Sequence, residues 1–165
     1  MKEKLAQVRT LIASYYKQYQ DNKIDECIAN ADKIINECLR ITPPESQGKF
    51  HKEIAKAYRI ASRCFYKKGD SEKAMAMLSC GIRLKLSVIE SALIQKDRIV
   101  LLIKAGDVED ARKTVIDMIE QMKKYYPTGD DLGDNGKILV KEYITLFQNL
   151  ETSKDNLSDS NFSEL

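Results

Sequence analysis

The chain has a single histidine, no tryptophan, three prolines and seven glycines in 165 residues. One histidine cannot build a multi-histidine metal site, and no Ser or Cys nucleophile stands in a recognisable elbow around it. No glycine-rich phosphate loop is present either. His51 is expected to face solvent among lysines near the start of a helix, not to act as a base. Acidic residues are scattered along the chain, so an enzyme is not expected, nor a cofactor or a metal. The scarcity of glycine and proline excludes long structureless connections. Long apolar runs are also missing: the longest, Ile99 to Ile103, is far short of the ~20 residues a membrane span requires. Lys2 and Lys4 are followed by no signal-peptide core. A cytoplasmic location without membrane contact is therefore expected, although a mature fragment of an exported sensor would have the same composition. The four cysteines form no CxxC pair. Cys27 and Cys38 share a helix face but lie three turns apart, about 16 Å, too far for a disulfide. All four are expected to be buried free thiols in a reducing compartment. The net charge of +2 is too small to imply nucleic acid by itself.

What the chain does have is helical periodicity and a repeat. Ile54, Ala57, Tyr58, Ala61 and Phe65 recur at intervals of three and four and stack on one helix face. After Gly69-Asp70 the pattern resumes with Ala74, Met77, Leu78, Gly81 and Ile82. Gly69 suits the left-handed residue that closes a helix, and Asp70 or Ser71 can cap the next. The segment Lys68–Ala74 recurs 37 residues later as Ala105–Ala111. A weaker copy, Asp21–Cys27, lies 47 residues upstream, with Asn22 replacing the glycine. Self-similarity at such a period marks a helical repeat array.

The central hairpin resembles a tetratricopeptide repeat. The residues that carry the likeness are Tyr58, Ala61, Ser62 and Phe65, the Gly69-Asp70 turn, then Ala74, Leu78 and small Gly81. The third copy keeps Leu102, Gly106-Asp107, Ala111 and Val115; the first keeps Leu11, Tyr15, Cys27 and Ala31. The resemblance covers about residues 5 to 126 and implies an all-α fold. Its antiparallel helical hairpins would stack as a short solenoid of about three repeats plus a C-terminal capping helix.

In chain order, helices are expected over 2–20, 24–41, 48–68, 71–87, 88–105, 108–126 and 137–151. Thr42-Pro43-Pro44 breaks the second from the third, and residues 129–136 form a loop. The repeat domain spans 1–151. From 152 to 165 the sequence turns to Ser, Asn and Asp and reads as a disordered acidic tail or linker. Residues 131–142 partly copy a calcium loop, with the turn glycine and twelfth-position Glu142 in place. Gly133 and Leu139 supply no ligand, however, and a polar loop between helices is the expectation.

The best functional lead is charge. Residues 49–68 carry seven Lys and Arg against the lone Glu53, with Lys52, Lys56, Arg59, Arg63 and Lys67 on one face. In tetratricopeptide arrays the first helix of each hairpin lines a concave groove. The resemblance thus implies groove residues Arg9 and Tyr16 from the first copy, Lys56, Arg59, Arg63, Tyr66 and Lys67 from the second, and Lys96 and Lys104 from the third. Such a basic surface suits an extended acidic peptide of another protein, held by charge-assisted hydrogen bonds. The tail, net −3 over 151–165, would occupy the same groove weakly, its own or a neighbour's. The expected function is a non-catalytic protein-protein interaction module. The alternative is a sensory or regulatory segment of a larger signal-transduction or transcription-regulating protein.

Overall fold

The computed structural model describes residues 1–129 and 132–152. Among them are seven α-helices, a short 3-10 turn at Pro44–Ser46 and no strand. The tail reading falls on 153–165, outside the described residues. The helices are α1 (Lys2–Gln20), α2 (Ile24–Ile41), α3 (Gln47–Lys67), α4 (Ser71–Ile82), α5 (Val88–Lys104), α6 (Val108–Tyr125) and α7 (Gly133–Glu151). The chain divides into two compact units at the joint between Leu86 and Ser87.

Three hairpins are closed by the same device. Asn22, Gly69 and Gly106 all take positive φ, at 59°, 81° and 83°. The following residue donates its N–H back five residues each time: Lys23 to Gln18, Asp70 to Phe65, Asp107 to Leu102, at 2.8 to 2.9 Å. This is the Schellman closure, and it forces the chain to reverse. Asp70 adds a cap by accepting from the Lys73 N–H at 3.1 Å.

In unit 1, α1 and α2 form one hairpin and α3 and α4 the next, with α3 packed against α1, α2 and α4. The two hairpins share a contact at the same register. The Tyr15 hydroxyl donates to the Cys27 carbonyl, and 47 residues on the Ser62 hydroxyl donates to the Ala74 carbonyl, both at 2.9 Å. Phe50, Ile54, Ala57, Ala61 and Cys64 of α3 have essentially no exposed surface. In unit 2, α5 and α6 pair and α7 packs on both. The positions equivalent to Ser62 and Ala74 are Ile99 and Ala111, both fully buried, so that contact is replaced by packing, and the Arg98 guanidinium of α5 donates instead to the Thr114 hydroxyl of α6 at 3.2 Å. The apolar run of α5 is buried from Ile99 through Leu102.

Four expectations need correction. Helix α4 stops at Ile82 and not near Ser87, because two other contacts claim the residues beyond it. Ser87 opens α5 with a capping box to Glu90, and the Lys85 N–H is taken by His51 Nδ1 at 2.9 Å. His51 is accordingly half-buried, not open to solvent. Helix α7 begins at Gly133, four residues early, so 133–136 belongs to the helix and not to the expected loop. A Cβ on Gly136 would lie 2.9 Å from the Cβ of Leu132, so a poor helix former stands where little else fits. Finally, Cys80 is exposed, whereas Cys27, Cys38 and Cys64 are buried. Burial pushes the Cys64 thiol up to about 12 and the Cys38 thiol up to about 11, which keeps both protonated and unreactive.

The closure predicts an asymmetric response to substitution. Gly69→Ala places a Cβ at positive φ and should cost about 1 kcal/mol or slightly more. Asn22→Gly should be neutral or slightly stabilising. Thermal unfolding of the two variants against the parent checks both signs.

Candidate functional site

The expected groove residues fall in both units. Arg9, Tyr16, Lys56, Arg59, Arg63, Tyr66 and Lys67 lie in unit 1, and Lys96 and Lys104 in unit 2.

In unit 1, α1 and α3 run in the same direction, as successive contacts show: Arg9 meets Glu53, and Tyr19 lies under Lys67. Between them is a cleft of about 250 Å³ lined by Arg9, Ile12, Ala13, Tyr16, Glu53, Lys56 and Ile60. Three of the expected residues, Arg9, Tyr16 and Lys56, thus come together. Local sequence did not reveal the carboxylate among them. The Glu53 side chain is only 9% exposed and is gripped from both sides, by Arg9 Nε and Lys56 Nζ at 3.3 Å each. A buried carboxylate is tolerated only with such partners. Two cations on one anion leave the cleft with a surplus of one positive charge above a floor of Ile12, Ala13 and Ile60.

The other expected residues of unit 1 are placed differently. Arg59 is buried, at 3% exposure, and Arg63 and Tyr66 are half-buried. Further along, Tyr16 and Tyr19 stack with ring centroids 6.4 Å apart, and the Lys67 ammonium sits 5.0 Å above the Tyr19 ring. Lys67 therefore spends part of its charge on an aromatic face. Its neighbour Lys68 pairs with Asp25 of α2 at 2.8 Å.

In unit 2 a cleft of about 300 Å³ opens between α5 and α7, lined by Lys96, Ile138, Lys141, Glu142, Thr145, Leu146 and Asn149. Lys96 is 5% exposed and donates to Glu142 at 2.6 Å. Glu142, the would-be calcium ligand, is thus committed to a lysine 46 residues away. Lys104 is exposed. Among the described residues no cluster of three or more His, Cys, Asp and Glu is placed to hold a metal ion. None of the helices is long and apolar enough to cross a membrane.

No protein family, curated protein or solved structure matches the chain.

Two outcomes follow from these contacts. Burial first, and then the Lys85 charge, hold His51 below its ordinary range. The fold therefore favours the neutral ring, and the stability this contributes is complete above the unfolded value near 6.5 and is lost as pH falls below it and through the lower value of the folded state. His51→Asn, which keeps an acceptor that does not titrate, should flatten that loss in urea denaturation series at descending pH. Removing the carboxylate from Lys96 is the second. Glu142→Ala leaves a buried ammonium without its acceptor and should cost about 1–3 kcal/mol. Lys141→Ala, on the exposed side of the same cleft, should stay within about 0.5 kcal/mol.

Proposed function

We propose that the protein is a non-catalytic interaction module, a helical-repeat scaffold of tetratricopeptide-like hairpins, that holds an extended acidic segment of another protein against the α1–α3 face of unit 1. The observation that carries this reading is the cleft at Arg9, Tyr16 and Lys56. It joins a surplus cation to an apolar floor, and Glu53 already occupies it as an internal carboxylate. A partner's carboxylate would bond Arg9 and Lys56 through their outward-facing donors, since their side chains are 60% and 44% exposed. Arg9 offers several guanidinium N–H groups beyond the one used on Glu53. A neighbouring apolar side chain would settle over Ile12, Ala13 and Ile60 beside the Tyr16 ring. The activity proposed for the cleft is binding alone.

The test is fluorescence anisotropy with a labelled Glu-rich peptide containing one Leu or Phe. The triple variant Arg9→Gln/Glu53→Gln/Lys56→Gln removes both cations without leaving the buried carboxylate stranded. It should weaken binding roughly tenfold, the equivalent of about 1.4 kcal/mol. Tyr16→Ala should weaken binding of the apolar-containing peptide more than that of an all-Glu peptide. Equal affinity of parent and triple variant, or no binding to the parent at low salt, would overturn the reading.

A further inference from the structure

The cleft of unit 2, between α5 and α7, has the Lys96 ammonium in its wall. Lys96 is 5% exposed and lines the cleft. An ammonium carries three N–H donors, and burial makes each of them costly to leave unmade. Among the described residues Lys96 has a single acceptor, Glu142 Oε2 at 2.6 Å. That pair joins the two helices, yet it accounts for one N–H and leaves the other two unused.

The rest of the lining adds donors to the same space. Asn149 is half-buried on α7, and its side-chain amide bonds to nothing among the described residues; only its backbone carbonyl is engaged, by the Thr152 hydroxyl. It follows Glu142 by two turns and so shares that helix face. The Thr145 hydroxyl gives its hydrogen to the Lys141 carbonyl at 3.0 Å, which leaves only its oxygen for the cleft. Lys141 is exposed and has no ion-pair partner among the described residues. Two cations against Glu142 thus give the cleft a surplus of one positive charge. Its apolar part is Leu146, which is buried, and Ile138, an exposed isoleucine that gains from being covered.

We propose that this cleft is a binding site for a small carboxylic acid with an aliphatic body. The carboxylate accepts only, and it would take the unused Lys96 N–H groups together with the Asn149 amide. Bonds from an ammonium to a carboxylate are about twice as strong as neutral ones. The hydrocarbon would lie over Ile138 and Leu146. A volume of about 300 Å³ is at the small end of ligand pockets and suits a molecule of this kind. A monoanion neutralises the surplus charge, whereas a phosphate dianion would exceed it and lie against Glu142. The site stands apart from the α1–α3 reading and does not require it.

The probe is 4-methylpentanoate, titrated into the full chain and followed by proton–nitrogen correlation NMR. The Asn149 side-chain amide gives its own pair of signals, identified by their loss in Asn149→Ala. Saturable movement of that pair is expected. The uncharged isostere 4-methylpentanamide should bind roughly tenfold more weakly. Lys96→Met keeps the length of the side chain and should weaken binding of the acid by about the same factor. Asn149→Ala removes no side-chain bond of the fold and should weaken it about threefold, read from backbone signals. Glu142→Gln raises the surplus charge and should tighten binding at least about twofold, a gain that a merely structural pair would not give. No saturable shift, equal binding of acid and amide, or unchanged affinity in both Lys96→Met and Asn149→Ala would overturn the site. Leucine, the same skeleton with an added ammonium, should bind more weakly than the acid. Tighter binding of leucine would overturn the simple acid in favour of a zwitterion whose ammonium meets Glu142.

Discussion

Unit 1 depends on the close approach of α3 to three other helices. A helix with neighbours on three sides needs small side chains where backbones come near, and α3 supplies Ala55, Ala57, Ala61, Ser62 and Cys64, all buried. Its partners answer with Cys27 and Ala31 on α2 and Ala74 and Gly81 on α4. Such packing is sensitive to a single added methylene. It also dictates where charge can go. With three sides of α3 occupied, its cations must crowd onto the remaining one. Lys52, Lys56, Arg59, Arg63 and Lys67 recur there at helical spacing because the packing leaves them no other place.

That crowding has a cost, and the structure meets it in different ways along the helix. Arg59 is drawn into the protein, Lys56 shares Glu53 with Arg9 of α1, and Lys67 lies over a tyrosine. The last two arrangements tie α3 to α1 as well as offsetting repulsion. Unit 2 has comparable pairs: Lys96 and Glu142 link α5 to α7, and Arg112 and Glu151 link α6 to α7. In both units the helices that share a cleft are therefore joined by a charge pair at its edge. A buried pair of this kind contributes little net stability but penalises any register in which one partner is stranded.

How far the sequence revealed this depends on how local each cause was. The three turns were legible because Asn22, Gly69 and Gly106 sit before an Asp or Lys at a fixed offset, and backbone conformation at such a turn is decided within a few residues. The ends of α1, α2, α5 and α6 were legible within a residue or so for the same reason. The end of α4 was not, since a bond from His51, 34 residues away, helps set it. The start of α7 was hidden because Gly133 and Gly136 argue against helix by propensity, while packing on Leu132 requires the second of them. The site was half legible. Arg9, Tyr16 and Lys56 could be placed together from the repeat register, whereas Glu53 looked like one acid in a basic helix. Its role comes from Arg9, 44 residues distant, and no local pattern carries that information.

The distribution of charge has a consequence for recognition. Cations held against a carboxylate in a part-buried cleft lie in a medium where screening is weak, so on the proposed reading their geometry would select what replaces or joins the internal carboxylate. Cations standing unpaired at the surface act over about 10 Å and fade with salt, which favours capture over discrimination. Unit 1 has both kinds on one helix: Lys49 and Lys52 stand open in the first two turns of α3, and Lys56 is paired one turn later. An acidic chain approaching α3 would meet the long-range field before the selective contacts. On the proposed reading, encounter and choice would thus fall to different residues. The small overall charge of +2 is compatible with this, because attraction at this range depends on the local imbalance around the start of α3 and not on the sum over the chain.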